Sequence, residues 1–238
     1  MTRTCLRIFI ALLVLTFAVT FAVAVLQTDS KADIAHRDNP SSLLVIGDSF
    51  VAGAGVTDPG QSYPVLLAHA TGMRLSVDGQ GGTGFISDAR GTGNGDTSKL
   101  LDRLDADGQK FPNASVVVID AGRNDLRYPV EEVGSAVSDY LDRARAQWPA
   151  ADIVVVVPAF ITLQPFDGYR DVLDRFESSA SKVGATLIDP IAEGWYQNVD
   201  VATLLAADKV HPNADGARII AARMEQSLRS HGVVPATA

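Results

Sequence analysis

Cysteine is almost absent from this sequence. The one cysteine among its 238 residues, Cys5, lies before the first long apolar run. The residues after it therefore carry no thiol, which excludes a disulfide framework, a cysteine nucleophile and a cysteine-ligated zinc site from the body of the chain. A packed hydrophobic core must supply the stability that cross-links would otherwise add.

Positive charge is scarce as well. The 20 Lys and Arg residues face 28 Asp and Glu residues, which gives a formal net charge of −8, and the basic residues form no cluster. Nucleic-acid binding requires a basic face, so we predict no nucleic-acid partner. The composition, 47% apolar and 20% charged, is typical of a globular domain.

Charge is missing altogether from residues 8–26, an apolar run that follows Arg3 and Arg7. The run is longer than the core of most signal peptides and slightly shorter than most membrane-spanning helices. Residues 1–27 are therefore predicted to be a signal peptide or an N-terminal membrane anchor, and both alternatives predict export. If the segment is not cleaved, the protein would contact the membrane through residues 8–26.

The rest of the chain is predicted to contain one domain, with a monomer as the default expectation. Residues 28–41 form a predicted linker, residues 42–232 a folded domain and residues 233–238 a tail. Short apolar runs predict strands at residues 43–46, 74–77, 116–119, 153–157 and 186–188. Apolar periodicity predicts helices at residues 63–70, 130–148, 167–183 and 212–230. This alternation predicts an α/β fold, a three-layer α/β/α sandwich around a mostly parallel five-stranded sheet.

Glycines and polar residues follow the predicted strands, at the sheet edge where ligands bind in such folds. Gly47-Asp48-Ser49 follows the first strand, glycine-rich residues 79–84 the second and Gly-Arg-Asn-Asp at 122–125 the third. Asp208 and His211 precede the last predicted helix. A serine, a histidine, a carboxylate, an amide and exposed N–H groups are the parts that acyl transfer through a serine requires.

We predict that Ser49 is the nucleophile, that His211 is its general base and that Asp208 orients the histidine. The two residues between Asp208 and His211 allow a tight turn that brings the carboxylate to Nδ1–H. Pro212 is expected at the first position of the following helix, where proline is favoured.

The predicted oxyanion hole contains the N–H groups of Ser49 and Gly82 and the side-chain amide of Asn124. Asp125 is predicted to bond loop amides. Arg123 is compatible with contact to substrate and equally with contact to solvent.

The glycine spacing within residues 79–84 also matches a dinucleotide-binding fingerprint, which a helix must follow directly. Polar residues and further glycines follow here, so we predict no dinucleotide site. Acyl transfer through a serine needs no cofactor and no metal, and we predict neither. Phe85 and Trp195 fall in loops near the predicted site and are predicted to contact substrate. Four further apolar loop residues are candidates for the same pocket: Ile86, Phe160, Phe166 and Tyr196.

Four of these segments, in this order, resemble the sequence blocks of the SGNH-hydrolase superfamily, also called GDSL lipases and esterases. The segments are GDSF at 47–50, with Phe50 in place of the usual leucine, GGTG at 81–84, GRND at 122–125 and DKVHP at 208–212. The resemblance extends over residues 42–230. It implies a flavodoxin-like α/β/α fold and a Ser49–His211–Asp208 triad.

The predicted function is that of an exported serine esterase. It would hydrolyse short acyl esters of a carbohydrate or a lipid through an acyl-enzyme, with a small-molecule, glycan or lipid ester as its partner. Two alternatives stay open on the sequence alone. One is a cell-envelope acyltransferase with the same triad, and the other is a carbohydrate- or lipid-binding module with an inactive site.

Overall fold

The computed structural model describes residues 41–90 and 97–235. The predicted leader, nearly all of the predicted linker and the last three residues of the predicted tail lie outside the described residues. Within the described ranges, no helix combines the length and the apolar character needed to cross a membrane.

Five strands form one sheet in which every neighbouring pair is parallel. The strands are β1 (Ser42–Gly47), β2 (Arg74–Gly79), β3 (Val116–Asp120), β4 (Asp152–Val156) and β5 (Thr186–Ile188), and their order across the sheet is β2-β1-β3-β4-β5. The predicted α/β fold with a five-stranded sheet is confirmed, and the pairing is parallel throughout rather than mostly parallel. Apolar side chains on both faces of β1, β3 and β4 are buried, as expected for strands covered on two sides.

Helices cover both faces of the sheet, so the three-layer architecture is confirmed. The helices of the described residues are α1 (Tyr63–Thr71), α2 (Leu100–Lys110), α3 (Val130–Gln147), α4 (Tyr169–Val183) and α5 (Ala214–Ser230). Alternate residues of β1 point to opposite faces. Leu43 and Val45 pack in one core with α1 and α5, whereas Leu44 and Ile46 pack in the other with α2, α3 and α4.

Most element boundaries differ from the sequence prediction by one or two residues, and two differences bear on the packing at the ends of the last helix. Helix α5 begins at Ala214 rather than at Pro212, because the Asn213 side chain caps the helix by accepting hydrogen bonds from the N–H groups of its first turn. Pro212 precedes the cap and forms an isolated bridge with Leu205. At the other end of the domain, the side chain of Val234, which falls in the predicted tail, is buried in the core with α5.

The topology of the sheet brings the predicted site segments to one edge. The chain moves outward from β1 to β2 on one side and through β3, β4 and β5 on the other, so the direction of winding changes between β1 and β3. Ligands of such sheets bind at this switch point, beyond the carboxyl ends of the strands. The last residue of β1, Gly47, pairs in register with Gly79 and Asp120, so the loops that follow these three strands begin side by side.

Candidate active site

The structure joins Ser49, His211 and Asp208 by direct hydrogen bonds. Ser49 Oγ lies 2.9 Å from His211 Nε2, although the two residues are 162 positions apart in the chain. On the other side of the imidazole, Nδ1 lies 2.6 Å from Asp208 Oδ2. An ionised carboxylate can only accept a hydrogen bond, so Nδ1 carries the proton and Nε2 accepts from the serine hydroxyl.

The Asp208 carboxylate also holds the turn that carries the histidine. Asp208 Oδ1 accepts the backbone N–H groups of Val210 at 2.9 Å and of His211 at 3.0 Å, and Lys209 between them has a positive φ of 59°. The hydrogen bond from the imidazole, together with these two N–H groups, lowers the pKa of Asp208 below its ordinary value. Asp208 is therefore ionised wherever the domain is folded at ordinary pH, and its charge can stabilise an imidazolium.

Ser49 lies in a helix-like turn directly after β1. The N–H of Phe50 donates to Asp48 Oδ1 at 2.9 Å, and the N–H of Ala54 donates to the Ser49 carbonyl at 2.9 Å. The Asp48 side chain is completely buried, so it faces the interior and Ser49 faces the site. The turn thus fixes the serine backbone without using the serine hydroxyl.

Two glycines allow other loops to approach this turn closely. Gly55 has φ +88°, and a Cβ on it would lie 2.5 Å from the Pro212 carbonyl oxygen and 2.9 Å from His211 Cβ. A Cβ on Gly79 would lie 2.4 Å from the backbone nitrogen of Ala52. Neither position can hold a larger side chain without moving backbone, so the small residues after Ser49 let the histidine loop and the glycine loop reach the nucleophile.

Asn124 and the glycine loop lie together beside β3. Asn124 belongs to a single 3-10 turn after that strand, and its Nδ2 donates to the Thr83 carbonyl at 2.9 Å. This bond uses one of the two amide protons. No hydrogen bond between described residues uses the N–H of Ser49 or of Gly82, and Gly82 has φ +76°. Adjoining segments thus present three N–H donors that the described part of the chain does not use.

Asp125 accepts hydrogen bonds from backbone N–H groups directly after the glycine loop, which confirms its predicted role of bonding loop amides. Its carboxylate accepts the backbone N–H groups of Phe85 at 2.7 Å, Ser87 at 2.9 Å and Ile86 at 3.2 Å. Burial raises the pKa of Asp125, and these three N–H groups oppose that effect.

The Arg123 side chain is largely buried rather than solvent-exposed. Its side chain is 7% exposed and forms ion pairs with Asp120 at 2.8 Å and with Asp48 at 3.3 Å. Burial alone would lower the pKa of Arg123, but the Asp120 and Asp48 carboxylates offset burial and raise that pKa above its ordinary value. Burial raises the pKa of Asp48, and the neighbouring Arg123 guanidinium opposes this effect.

Phe85 and Trp195 do not line an open site, which corrects the sequence prediction for both. Each is 3% exposed. The Phe85 ring packs edge-on against Tyr140 and Phe176 in the core below α3 and α4. Trp195 lies in the opposite core, where its Nε1–H donates to Glu193 at 2.9 Å. Both rings are held by packing within the domain and do not form part of the proposed substrate site.

The four further apolar candidates lie at different depths. Tyr196 is buried in the core with α5, and Ile86 and Phe166 are half-buried against the opposite core. Phe160 is half-buried and its ring lies 6.4 Å from that of Phe50, so it approaches the residue next to the nucleophile. Within the described ranges, no group of three or more His, Cys, Asp or Glu side chains could hold a metal ion.

Comparison with known proteins shows the family. A model described as the GDSL-like lipase/acylhydrolase family matches residues 45–219. The GDSL lipase Rv0518 of Mycobacterium tuberculosis is 31% identical over 201 residues, which cover 78% of this chain and 80% of that protein.

Solved structures share the fold at lower identity. One is a family two carbohydrate esterase from Clostridium thermocellum in complex with cellohexaose, with a TM-score of 0.63 at 17% identity. The match covers 81% of this chain and 65% of the esterase chain. LAE5, described as an alpha/beta hydrolase enzyme from the metagenome of Lake Arreo in Spain, has a TM-score of 0.62 at 21% identity, over 83% and 98% of the two chains. The family match and the mycobacterial relative together show that this chain belongs to the GDSL-like lipase/acylhydrolase family and is a hydrolase of the GDSL/SGNH type.

Proposed function

We propose that this hydrolase is a serine esterase that cleaves short acyl esters through a Ser49–His211–Asp208 triad. The observation that supports this proposal best is the unbroken hydrogen-bonded series from Ser49 Oγ through both imidazole nitrogens to Asp208 Oδ2, at 2.9 and 2.6 Å. These distances lie within the range in which a base can take a proton from a nucleophile.

In the first half of the reaction, Ser49 Oγ attacks the ester carbonyl carbon while His211 Nε2 takes the hydroxyl proton. The tetrahedral intermediate collapses when the bond to the alcohol oxygen breaks and His211 returns the proton to that oxygen. The alcohol leaves and the acyl group stays on Ser49 as an ester. Asp208 keeps the imidazole in one tautomer and stabilises its transient positive charge.

In the second half, a water molecule attacks the acyl-enzyme while His211 takes one of its protons. The bond between the acyl carbon and Ser49 Oγ breaks, the proton passes to Oγ, and the free acid leaves. In both halves the oxyanion would accept the N–H groups of Ser49 and Gly82 and the second amide proton of Asn124. Loss of one such donor typically lowers kcat by about 10²–10³-fold.

One exposed apolar side chain next to the triad supports an acyl or short lipid substrate. Val210 is 43% exposed directly before His211. An exposed apolar side chain beside a polar site favours a ligand that carries apolar atoms. The proposed substrates are therefore esters with a short acyl chain, carried on a carbohydrate or a short lipid.

The test is hydrolysis of p-nitrophenyl acetate, butyrate and octanoate by the full chain, compared with Ser49→Ala and His211→Ala. Both variants are expected to lose at least about 10³-fold in kcat, because the triad acts as a unit. A fluorophosphonate probe should label the native chain and not Ser49→Ala. A Ser49→Ala variant that retains most of the native rate would disprove the assignment.

The same assay separates the alternatives. An acyltransferase would form acylated product faster than free acid once a sugar acceptor is added, whereas an esterase would release mainly acid. An inactive binding module would show neither turnover nor labelling.

Export belongs to the same proposal and is supported by the apolar pattern of residues 8–26. Fractionation of cells that express the full chain, with sequencing of its N-terminus, should find it in the membrane or outside the cell. Recovery of the uncleaved chain from the cytosol would contradict export.

A further inference from the structure

A buried charged cluster lies directly behind the nucleophile turn, and the proposed mechanism does not use it. The cluster contains Asp48, Asp120, Arg123 and Tyr63. The Arg123 guanidinium pairs with both carboxylates, and the Tyr63 hydroxyl donates to Asp120 Oδ2 at 2.8 Å. Desolvating two carboxylates around one cation is costly, and the cost is recovered only when the geometry and the remaining hydrogen bonds are good.

Arg123 connects the segments that follow three different strands. Its two terminal nitrogens pair with Asp48 after β1 and with Asp120 at the end of β3. Its Nε–H donates to the Ala159 carbonyl after β4 at 2.7 Å. The planar guanidinium is suited to several partners at fixed angles, which a lysine ammonium cannot satisfy together. One buried side chain thus determines the relative positions of the nucleophile turn, the Asn124 turn and the loop after β4.

The guanidinium also stacks on the residue next to the nucleophile. Arg123 Cζ lies 4.1 Å from the centroid of the Phe50 ring. The same ring lies 5.9 Å from the His211 imidazole, with an angle of 53° between the two planes. Phe50 is 2% exposed, so its ring has little freedom to rotate away from either neighbour. A cation over an aromatic face is attracted to the ring electrons, and the attraction is stronger when both groups are desolvated.

We propose that Arg123 and Phe50 act as a positioning pair that holds the His211 imidazole and the Ser49 turn in the geometry for proton transfer. The proposal rests on the proposed esterase function. A leucine at position 50 would offer neither an aromatic face to the guanidinium nor a ring to the imidazole. Both residues act through the triad and touch no reacting atom.

The pair is tested with a double-mutant cycle in the full chain: Phe50→Leu, Arg123→Lys and the two combined. Steady-state kcat and KM for p-nitrophenyl butyrate and the thermal midpoint Tm are measured for each. We expect Phe50→Leu to lower kcat by about 5–20-fold and Arg123→Lys by about 10–50-fold, with KM within about 2-fold of the native value, because a displaced base slows the chemical step and leaves binding intact. The kcat of the double variant should lie within about 2-fold of the kcat of Arg123→Lys, because the two residues act as one unit.

Two controls lie at the opposite edge of the sheet. Phe111→Leu removes a ring that has the Lys110 ammonium 5.0 Å above it. Arg145→Lys removes a guanidinium that donates to the carbonyls of Ala151 at 2.7 Å and Val183 at 3.0 Å. Each control removes the same kind of contact as its counterpart, so each should lower Tm and leave kcat within about 2-fold of native.

The outcomes distinguish a positioning role from a merely structural one. A fall in Tm with unchanged kcat for both variants would overturn the proposal, and so would kcat losses that multiply in the double variant. If Arg123→Lys does not fold, the test is the kcat of Phe50→Leu compared with that of Phe111→Leu. Equal values would reject the proposed positioning pair. Failure of the esterase function itself would appear separately, as a native chain without Ser49-dependent turnover.

Discussion

At the scale of single residues, Gly55 determines how closely the histidine loop approaches the nucleophile turn. Its φ is +88°, and a Cβ at this position would lie only 2.5 Å from the Pro212 carbonyl oxygen, so there is no room for a side chain. In Gly55→Ala the left-handed backbone would cost about 1 kcal/mol, and the clash would move the loop that carries His211. We expect kcat for p-nitrophenyl butyrate to fall by about 100-fold, since a displacement of about 1 Å at a reacting group has that effect.

Gly72→Ala is the matched control for this prediction. Gly72 has φ +69° at the end of α1, and a Cβ there meets nothing within 4 Å. The variant should lose a similar amount of stability from the backbone alone, with kcat unchanged. Equal kcat values for Gly55→Ala and Gly72→Ala would mean that the close contact with the histidine loop does not matter for the reaction.

The triad residues could be predicted from the sequence, whereas the contacts behind them could not. Ser49 follows a strand, and the Asp208-x-x-His211 spacing suits a turn, so general rules for parallel sheets place these residues at one edge. Two partners of Arg123 lie far from it in the chain: Asp48 is 75 positions away and Ala159 is 36 positions away. Local pattern contains no information about such pairings. The one visible sign was Phe50 in place of leucine, which is interpretable only after the guanidinium is found beside its ring.

At the scale of elements, α2 is the helix that the sequence pattern did not reveal. Its 11 residues include three aspartates and Gly108, which have low helix propensity, and few apolar positions mark a buried face. Tertiary contacts stabilise it instead. The Arg103 guanidinium donates to the Gly47 carbonyl at 2.7 Å, and its Nε lies 2.6 Å from Asp78 Oδ2. Helix α2 is therefore anchored to the ends of β1 and β2, beside the glycine loop.

The same helix carries a carboxyl group that titrates near neutral pH. Burial, followed by the neighbouring Asp78 carboxylate, raises the pKa of Asp107 from 3.8 to about 7. The other charged or titratable groups that face it are Arg103 and Lys110 of α2 and, from α3, the buried Tyr140 hydroxyl. Between pH 4 and 7 the folded domain thus holds a proton on Asp107 that the unfolded chain has released.

Stability should therefore fall as pH rises from about 4 to 7, by up to about 1.4 kcal/mol per pH unit from this group, and level off above pH 7. Asp107→Asn keeps a neutral side chain at every pH and should flatten that part of the curve. The measurement is the free energy of unfolding in urea at pH 4.5, 6 and 7.5. The control is Asp105→Asn, on the exposed side of the same helix, which should keep the native dependence of stability on pH. If Asp107→Asn also kept that dependence, the raised pKa of Asp107 would not be its cause.

At the scale of the whole molecule, two separate cores lie on either side of the sheet edge that carries the candidate active site. The loop after β1 places Phe50 in the core with α1 and α5, and the loop after β2 places Phe85 in the core with α2, α3 and α4. The hydroxyl of Ser49 lies beside the first core and the proposed oxyanion donors of Gly82 and Asn124 beside the second. The arrangement of both packed layers on the sheet therefore sets the geometry of the site. The sequence alone predicted the layers but not which loop aromatics they bury.

The last residues described belong to the first of these cores and should contribute to global stability. The N–H groups of Val233 and Val234 donate to the Leu228 carbonyl at 2.8 and 3.3 Å, and the Val234 side chain is buried. Ending the chain after Gly232 would expose apolar surface worth about 1.5–3 kcal/mol, which corresponds to a fall in Tm of roughly 3–12 °C for a domain of this size.

Calorimetry of this truncated chain beside one that ends after Pro235 separates packing from simple shortening. The longer chain keeps Val233 and Val234 and should match the native Tm. Both chains should keep native kcat at 25 °C, because the end of α5 lies at the edge of the sheet away from Ser49 and His211. If the shorter chain also kept the native Tm, residues 233–235 would be a tail, as the sequence pattern predicts, and the packed valine would add nothing to the fold.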